Sequence, residues 1–399
     1  MGIVSGNRVH SQPKTTFLKQ QTAAFQLAVA CCTWPLDMPR IEQTADEQGD
    51  WSAFLAVVRR HRIPGLAYRA LKSVTGVPEG IRQTLSIQAR ANTFGNLRCI
   101  GLQVQLDAEF KRCGIRYAVL KGIPLSHQLY GDTAVRHTRD IDLLVTLQDF
   151  EAAENVLLQT GLKRTEPGEE LTPQLRQLWF NRRHHFSYVH PKLGITVELH
   201  WRLHDNIDID PGARALEGLE QVEVSSGIFI PVLPHDYLLP NLMVHGAGHA
   251  WCRLKWIADV TALLSKLSAD DRNTLLHQAR NQGIEPAFRQ GLAVCEALEL
   301  LPCYDSPPAR GTVRWLISVA LHAVLEDEPA DGSNFLPRHL MLSRFTLSPR
   351  ASYRLQELRV QAFSVEDWKA FPLPWWLAFA YPLLRAPFWI IRRSRFALR

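Results

Sequence analysis

A chain of 399 residues with 46% hydrophobic and 21% charged positions is long enough for two or three packed cores and too apolar to remain disordered. Its net charge of +6 does not describe a basic nucleic-acid groove, because Lys369, Arg385, Arg392, Arg393, Arg395 and Arg399 carry the whole excess and no acidic residue follows Asp367. Seven scattered cysteines without a Cys-x-x-Cys pair lack the spacing of a disulfide framework and fit a reducing cytoplasm.

Residues 1–20 are polar and read as a mobile arm. From 21 to 112 apolar residues recur at three- and four-residue spacing, over Phe25–Cys32, Asp50–His61, Gly65–Val74 and Ile81–Arg112, which predicts an N-terminal helical region. Between 113 and 233 the texture changes. Strands are predicted at Ile115–Leu120, Ile141–Val145, Phe186–Val189, Ile195–Trp201 and Ile228–Leu233, with helices at Pro124–Tyr130 and Leu147–Thr160. That alternation is an α/β or α+β pattern. From 234 to 350 the period is helical again, with segments at Asp236–Leu267, Ala269–Gln282, Pro286–Leu301 and Gly311–Glu326 and a loop-like stretch after 327. An apolar and basic tail, 351–399, completes the chain.

The chemistry concentrates in Arg139-Asp140-Ile141-Asp142-Leu143-Leu144-Val145. Alternate side chains of a strand share a face, so Asp140 and Asp142 point one way while Ile141, Leu143 and Val145 point the other. Two carboxylates one pleat apart repel each other structurally but chelate a hard divalent cation such as Mg²⁺. Val197-Glu198-Leu199-His200-Trp201 repeats the logic, and if its strand lies beside the first, Glu198 completes an acidic triad for two-metal chemistry. Leu120-Lys121-Gly122-Ile123-Pro124 is a strand-to-helix turn in which Gly122 permits close backbone approach to a phosphate and Lys121 offers a charge. Arg136 and Arg139, just before the acidic strand, are candidates for a terminal phosphate or for a salt bridge that braces the site.

Taken together, Leu-Lys-Gly-x-x-Leu-x-x-x-Leu-Tyr, Arg-x-x-Arg-Asp-Ile-Asp-Leu-Leu-Val and Val-Glu-Leu-His-Trp resemble an uncharacterised bacterial nucleotidyltransferase family of the polymerase-beta superfamily. The likeness runs from about Trp51 to Leu264. It implies an α+β fold: a polymerase-beta-like core, a small mixed sheet with helices, flanked by N- and C-terminal helical regions. It further implies Asp140, Asp142 and Glu198 as ligands of Mg²⁺ (or Mn²⁺) and Gly122 at the triphosphate. The sequence departs from the superfamily where the usual Gly-Ser turn is replaced by Lys121-Gly122-Ile123. The implied reaction transfers a nucleoside monophosphate from a nucleoside triphosphate to an acceptor, a small molecule, peptide or protein, with release of pyrophosphate. A catalytically degenerate scaffold and a phosphotransferase on the same fold are the alternatives.

Three features stand apart. His200 shares the face of Glu198 and is a candidate to orient it or the acceptor. His245 and His249, at i and i+4, would share a helical face with Cys252, Arg253, Trp256 and Asp259. They lack the Glu and third ligand of a zinc site, so this stripe is read either as facing the cleft, with Arg253 or Lys255 meeting a phosphate, or as a satisfied buried helix contact with the sheet domain. Phe371–Ile391 is apolar but interrupted by four prolines and Arg385. It reads as a strap over the helical domain or an interfacial anchor on anionic lipid, not as a membrane span.

Overall fold

The computed structural model describes residues 16–168, 171–302, 309–326 and 338–361, with two isolated positions in the tail. The Phe371–Ile391 stretch and most of the proposed mobile arm thus lie outside the described residues. Thr16–Lys19, assigned to that arm, is a short helix instead.

Seven strands form one open mixed sheet: β1 (Tyr117–Val119), β2 (Asp140–Val145), β3 (Lys163–Glu166), β4 (His185–His190), β5 (Ile195–His200), β6 (Glu220–Ser225) and β7 (Ile228–Val232), in the order β3-β4-β5-β2-β1-β7-β6. β2 sits at the centre. It pairs antiparallel with β1 and parallel with β5, setting Asp142 directly beside Glu198 and Leu144 beside His200. β4 folds back antiparallel on β5, so His185 faces His200.

Both faces of the sheet are covered. On one, Ile141, Leu143, Val145, Val197 and Leu199 pack beneath the Glu79–Arg112 and Phe150–Gln159 helices in a single apolar core. On the other, Ala118, Leu120 and Leu144 join a second core, built with the N-terminal helices and with the His235–Gly248 and Leu254–Leu264 helices. The face that carries Asp142 is therefore not solvent-facing, and that is why its carboxylate is buried.

The N-terminal helices start where the sequence supplies caps: the Asp50 side chain accepts the Ala53 N–H at 2.9 Å and opens the Trp51–His61 helix. Gly65, in the Pro64–Leu71 helix, lets that helix approach the loop before β2. A Cβ there would stand 2.2 Å from the Val135 carbonyl oxygen.

The segment Asp236–Leu267, expected as one amphipathic helix, is two. The first ends at Gly248 and the second begins at Leu254. Ala250 and Trp251 take positive φ values of 47° and 54° in the connection, which turns the chain and buries the Trp251 ring completely. Burial of so large an apolar ring offsets two strained residues. The loop-like stretch after 327 contains a further helix, Arg338–Arg344. Strands β3 and β6 and the helices Met38–Asp46 and Pro173–Arg182 were not anticipated; their patterns are short or polar. No helix among the described residues is long and apolar enough to cross a membrane.

Candidate active site

A cavity of about 460 Å³ opens between the sheet and the C-terminal helices, and Asp140, Glu198, His200, Lys121 and Lys255 line it. Asp142 lies behind this wall, paired with Glu198 on the neighbouring strand, and does not itself line the cavity. Its side chain is fully buried, and neither carboxylate oxygen has a hydrogen-bond partner. Among the described residues, the Lys121 ammonium at 3.4 Å and His200 Nε2 at 3.5 Å stand beside it, both beyond good hydrogen-bond length, and the Glu198 carboxylate belongs to the same cluster. A buried carboxylate without donors is costly unless a cation meets it. Asp142, Glu198 and His200 each present one ligand atom within 4.8 Å of the other two.

Glu198 is three-quarters buried and stands 3.3 Å from His200 Nε2. Burial works against its charge, but His200 and Lys121 hold its carboxyl down at about 2. Conversely, burial opposes the charged form of His200, yet Asp142 and Glu198 lift it to about 8. Lys121 is likewise held above its ordinary value by Asp142, Asp140 and Glu198 against the effect of burial. Asp140, at the entrance of β2, lines the cavity but is not within the tight cluster. Gly122 caps the Ile123–Tyr130 helix with φ 85°, which a side chain would strain; its absent Cβ faces Thr138 at 3.5 Å.

The cations anticipated from sequence divide. The Arg136 guanidinium is buried and donates to Asp259 at 2.9 Å, while the Tyr130 hydroxyl donates to the other Asp259 oxygen at 3.2 Å. It is committed to bracing the Leu254–Leu264 helix against the loop before β2. Arg139 is exposed, donates to His137 Nε2 at 3.0 Å and does not line the cavity. Arg253 donates to the Arg60 carbonyl and also lies outside the cavity wall. Lys255 does line it, donating to the His137 carbonyl at 3.1 Å, and burial followed by the neighbouring Arg136 lowers its amine to about 7. Arg62, which sequence reasoning missed, ends the Trp51–His61 helix with φ 57° and contributes a guanidinium to the wall.

The expected stripe on one helix is absent because the helix stops. His245 and His249 still reach the cavity, where their rings contact Trp256 at 5.2 and 5.1 Å. Among the described residues they gather no third metal ligand. Also missed were His184, His185, His204 and Asp205, which flank β4 and β5 at the cavity mouth. The Pro191–Gly194 turn held the signal: counting back across a hairpin from it sets His185 opposite His200.

The match to known proteins agrees with this geometry. A family described as uncharacterised nucleotidyltransferase matches residues 47–299, well over half of the chain and every strand of the sheet. The chain belongs to this nucleotidyltransferase family. No curated protein matches it. Within the family span lie all three carboxylates, Lys121 and Lys255, whereas Arg344, Tyr353 and Glu357, which close one side of the cavity, lie beyond it.

Proposed function

We propose that the protein is a Mg²⁺-dependent nucleotidyltransferase with a polymerase-beta-like core, moving a nucleoside monophosphate from a nucleoside triphosphate to an acceptor and releasing pyrophosphate. One observation carries the reading: Asp142 is buried without a hydrogen-bond partner on its carboxylate, directly beside Glu198, which lines a cavity that also holds lysine and arginine. Oxygen donors of this kind suit Mg²⁺ or Mn²⁺. Asp142 and Glu198 would hold the ion, with Asp140 one pleat away on the same strand. When bound, the metal supplies positive charge to the phosphates and the leaving group.

The chain's own residues divide the remaining work. Lys255 and Arg62 face the cavity and meet the negative charge of the triphosphate. Gly122 keeps the start of the Ile123–Tyr130 helix clear of side chain beside the Asp140 backbone. His200 and Lys121 hold the Glu198 carboxyl well below its ordinary value, which favours the ionised form that a metal ligand needs.

Mass spectrometry of candidate acceptors, incubated with mixed nucleoside triphosphates and Mg²⁺, tests the reaction. The expected products are an acceptor heavier by a nucleoside monophosphate and pyrophosphate. Nucleoside diphosphate with a phosphorylated acceptor would instead establish a phosphotransferase. Wild-type turnover in the Asp140→Asn/Asp142→Asn double variant would remove these carboxylates from the mechanism.

A further inference from the structure

A second set of ligands lies beside the carboxylates. One ring nitrogen from each of His184, His185 and His200 falls within 4.8 Å of the other two. His185 Nδ1 and His184 Nε2 are 3.2 Å apart. Two nitrogens on one tetrahedral ion, at bonds of 2.0–2.1 Å, stand about 3.3 Å apart. The strand pairing enforces this convergence, because His185 lies opposite His200 across β4 and β5.

Two further observations point to an ion. The His200 ring is 4% exposed, its Nε2 is turned to Glu198 and Asp142, and its Nδ1 is buried with no hydrogen-bond partner. Such an orphaned nitrogen calls for a partner. His184 Nδ1 is held by Asp205 at 2.5 Å, and Asp205 is held in turn by Arg183 at 3.3 Å. A carboxylate on the far nitrogen fixes tautomer and ring orientation and leaves Nε2 as the donor, the arrangement that supports metal-bound histidines.

We propose that His184, His185 and His200 form a site for a borderline-soft divalent ion of the Zn²⁺ class, with one coordination position open to the cavity. Imidazole nitrogen selects Zn²⁺, Co²⁺ or Ni²⁺ over Mg²⁺, whereas the oxygen-rich Asp142 and Glu198 favour the harder ion. The two neighbouring sites thus take different metals. This inference stands independently of nucleotide transfer.

The test uses the full-length protein, stripped of metal and titrated with Co²⁺ in excess Mg²⁺. The expected result is one bound Co²⁺ with the intense visible absorption of a four- or five-coordinate nitrogen-ligated ion, displaced by Zn²⁺. His184→Ala and His185→Ala should each weaken binding at least tenfold, and Asp205→Asn by about 10–100-fold. Asp142→Asn, which changes a neighbour of His200 Nε2 but no ligand of this site, should keep the nitrogen-ligated spectrum even where affinity falls. Metal-free thermal unfolding checks that each variant is folded, with His185→Gln as the replacement if His185→Ala is not. Co²⁺ affinity unchanged in both histidine variants would overturn the proposal, as would loss of that spectrum in Asp142→Asn or the absence of any Co²⁺ binding in Mg²⁺. None of these readouts uses nucleotide turnover, so they are separate from the test of the catalytic reading.

Discussion

Asp142 and Glu154 are both buried carboxylates on or against the same sheet, and their surroundings are opposite. Glu154, in the Phe150–Gln159 helix, accepts hydrogen bonds from Arg164 at 2.8 Å, Arg176 at 2.7 Å and the Tyr188 hydroxyl at 2.8 Å. Burial raises its carboxyl, but Arg176 and Tyr188 win and hold it below the usual range. The Asp142 carboxylate is as deeply buried, and neither of its oxygens has a hydrogen-bond partner. A fully satisfied carboxylate fastens elements together. One left without hydrogen-bond partners beside a cavity-lining carboxylate contributes less to stability, and its retained acceptor capacity is available to a cation.

The contrast is sharpest in substitution. Asp142→Asn is expected to reduce nucleotide transfer by about 10³-fold or more, in line with the loss of preorganised charge stabilisation. Its thermal midpoint should fall by less than that of Glu154→Gln, because Lys121 and His200 lose one counter-charge but keep Glu198. An equal or larger fall in calorimetry would break the comparison. Glu154→Gln should do the reverse. It leaves two arginines facing an uncharged amide and is expected to cost about 3 kcal/mol of unfolding free energy by denaturant titration. Activity per folded molecule should stay near wild type.

The cations offer a smaller, pH-dependent version of the same division. Arg136 donates to Asp259, whereas Lys255 donates to the His137 carbonyl and has an amine lowered to about 7 by burial and by Arg136. Below that midpoint Lys255 is charged and attracts the triphosphate; above it the amine is neutral. Nucleotide affinity should therefore lose severalfold of its Lys255-dependent part as pH rises through about 7. The difference between wild type and Lys255→Met, read by calorimetry across pH 6–8, isolates that term from titration of the phosphate itself. Equal pH slopes in the two proteins would mean that Lys255 does not meet the nucleotide.

The carboxylate wall was legible from the chain alone because strand alternation is local. Asp140-Ile141-Asp142 and Glu198-Leu199-His200 each announce their faces without reference to anything distant. Lys121-Gly122 before a proline-started helix was legible for the same reason. The histidine wall was not. His184 precedes β4 and His185 opens it, His204 and Asp205 follow β5, and the antiparallel pairing brings them to one cavity. The phosphate-binding candidates separate only in the tertiary structure: Arg136 lines the cavity while donating to Asp259, whereas Arg139 and Arg253 donate elsewhere and lie off its wall.

Sequence alone therefore determined the mixed α/β class, the alternation that puts carboxylates on one face, and the chemistry those residue types support. Tertiary structure decided that this face is covered by helices, so that Asp142 is stripped of water. It also decided that β5 lies parallel to β2 in the register that sets Glu198 abreast of Asp142, and that the helix after His235 breaks at Gly248. The physical reason is range. Side-chain alternation follows from the geometry of neighbouring peptide units, whereas burial, pairing register and the partners of a long cation depend on which distant segments pack together.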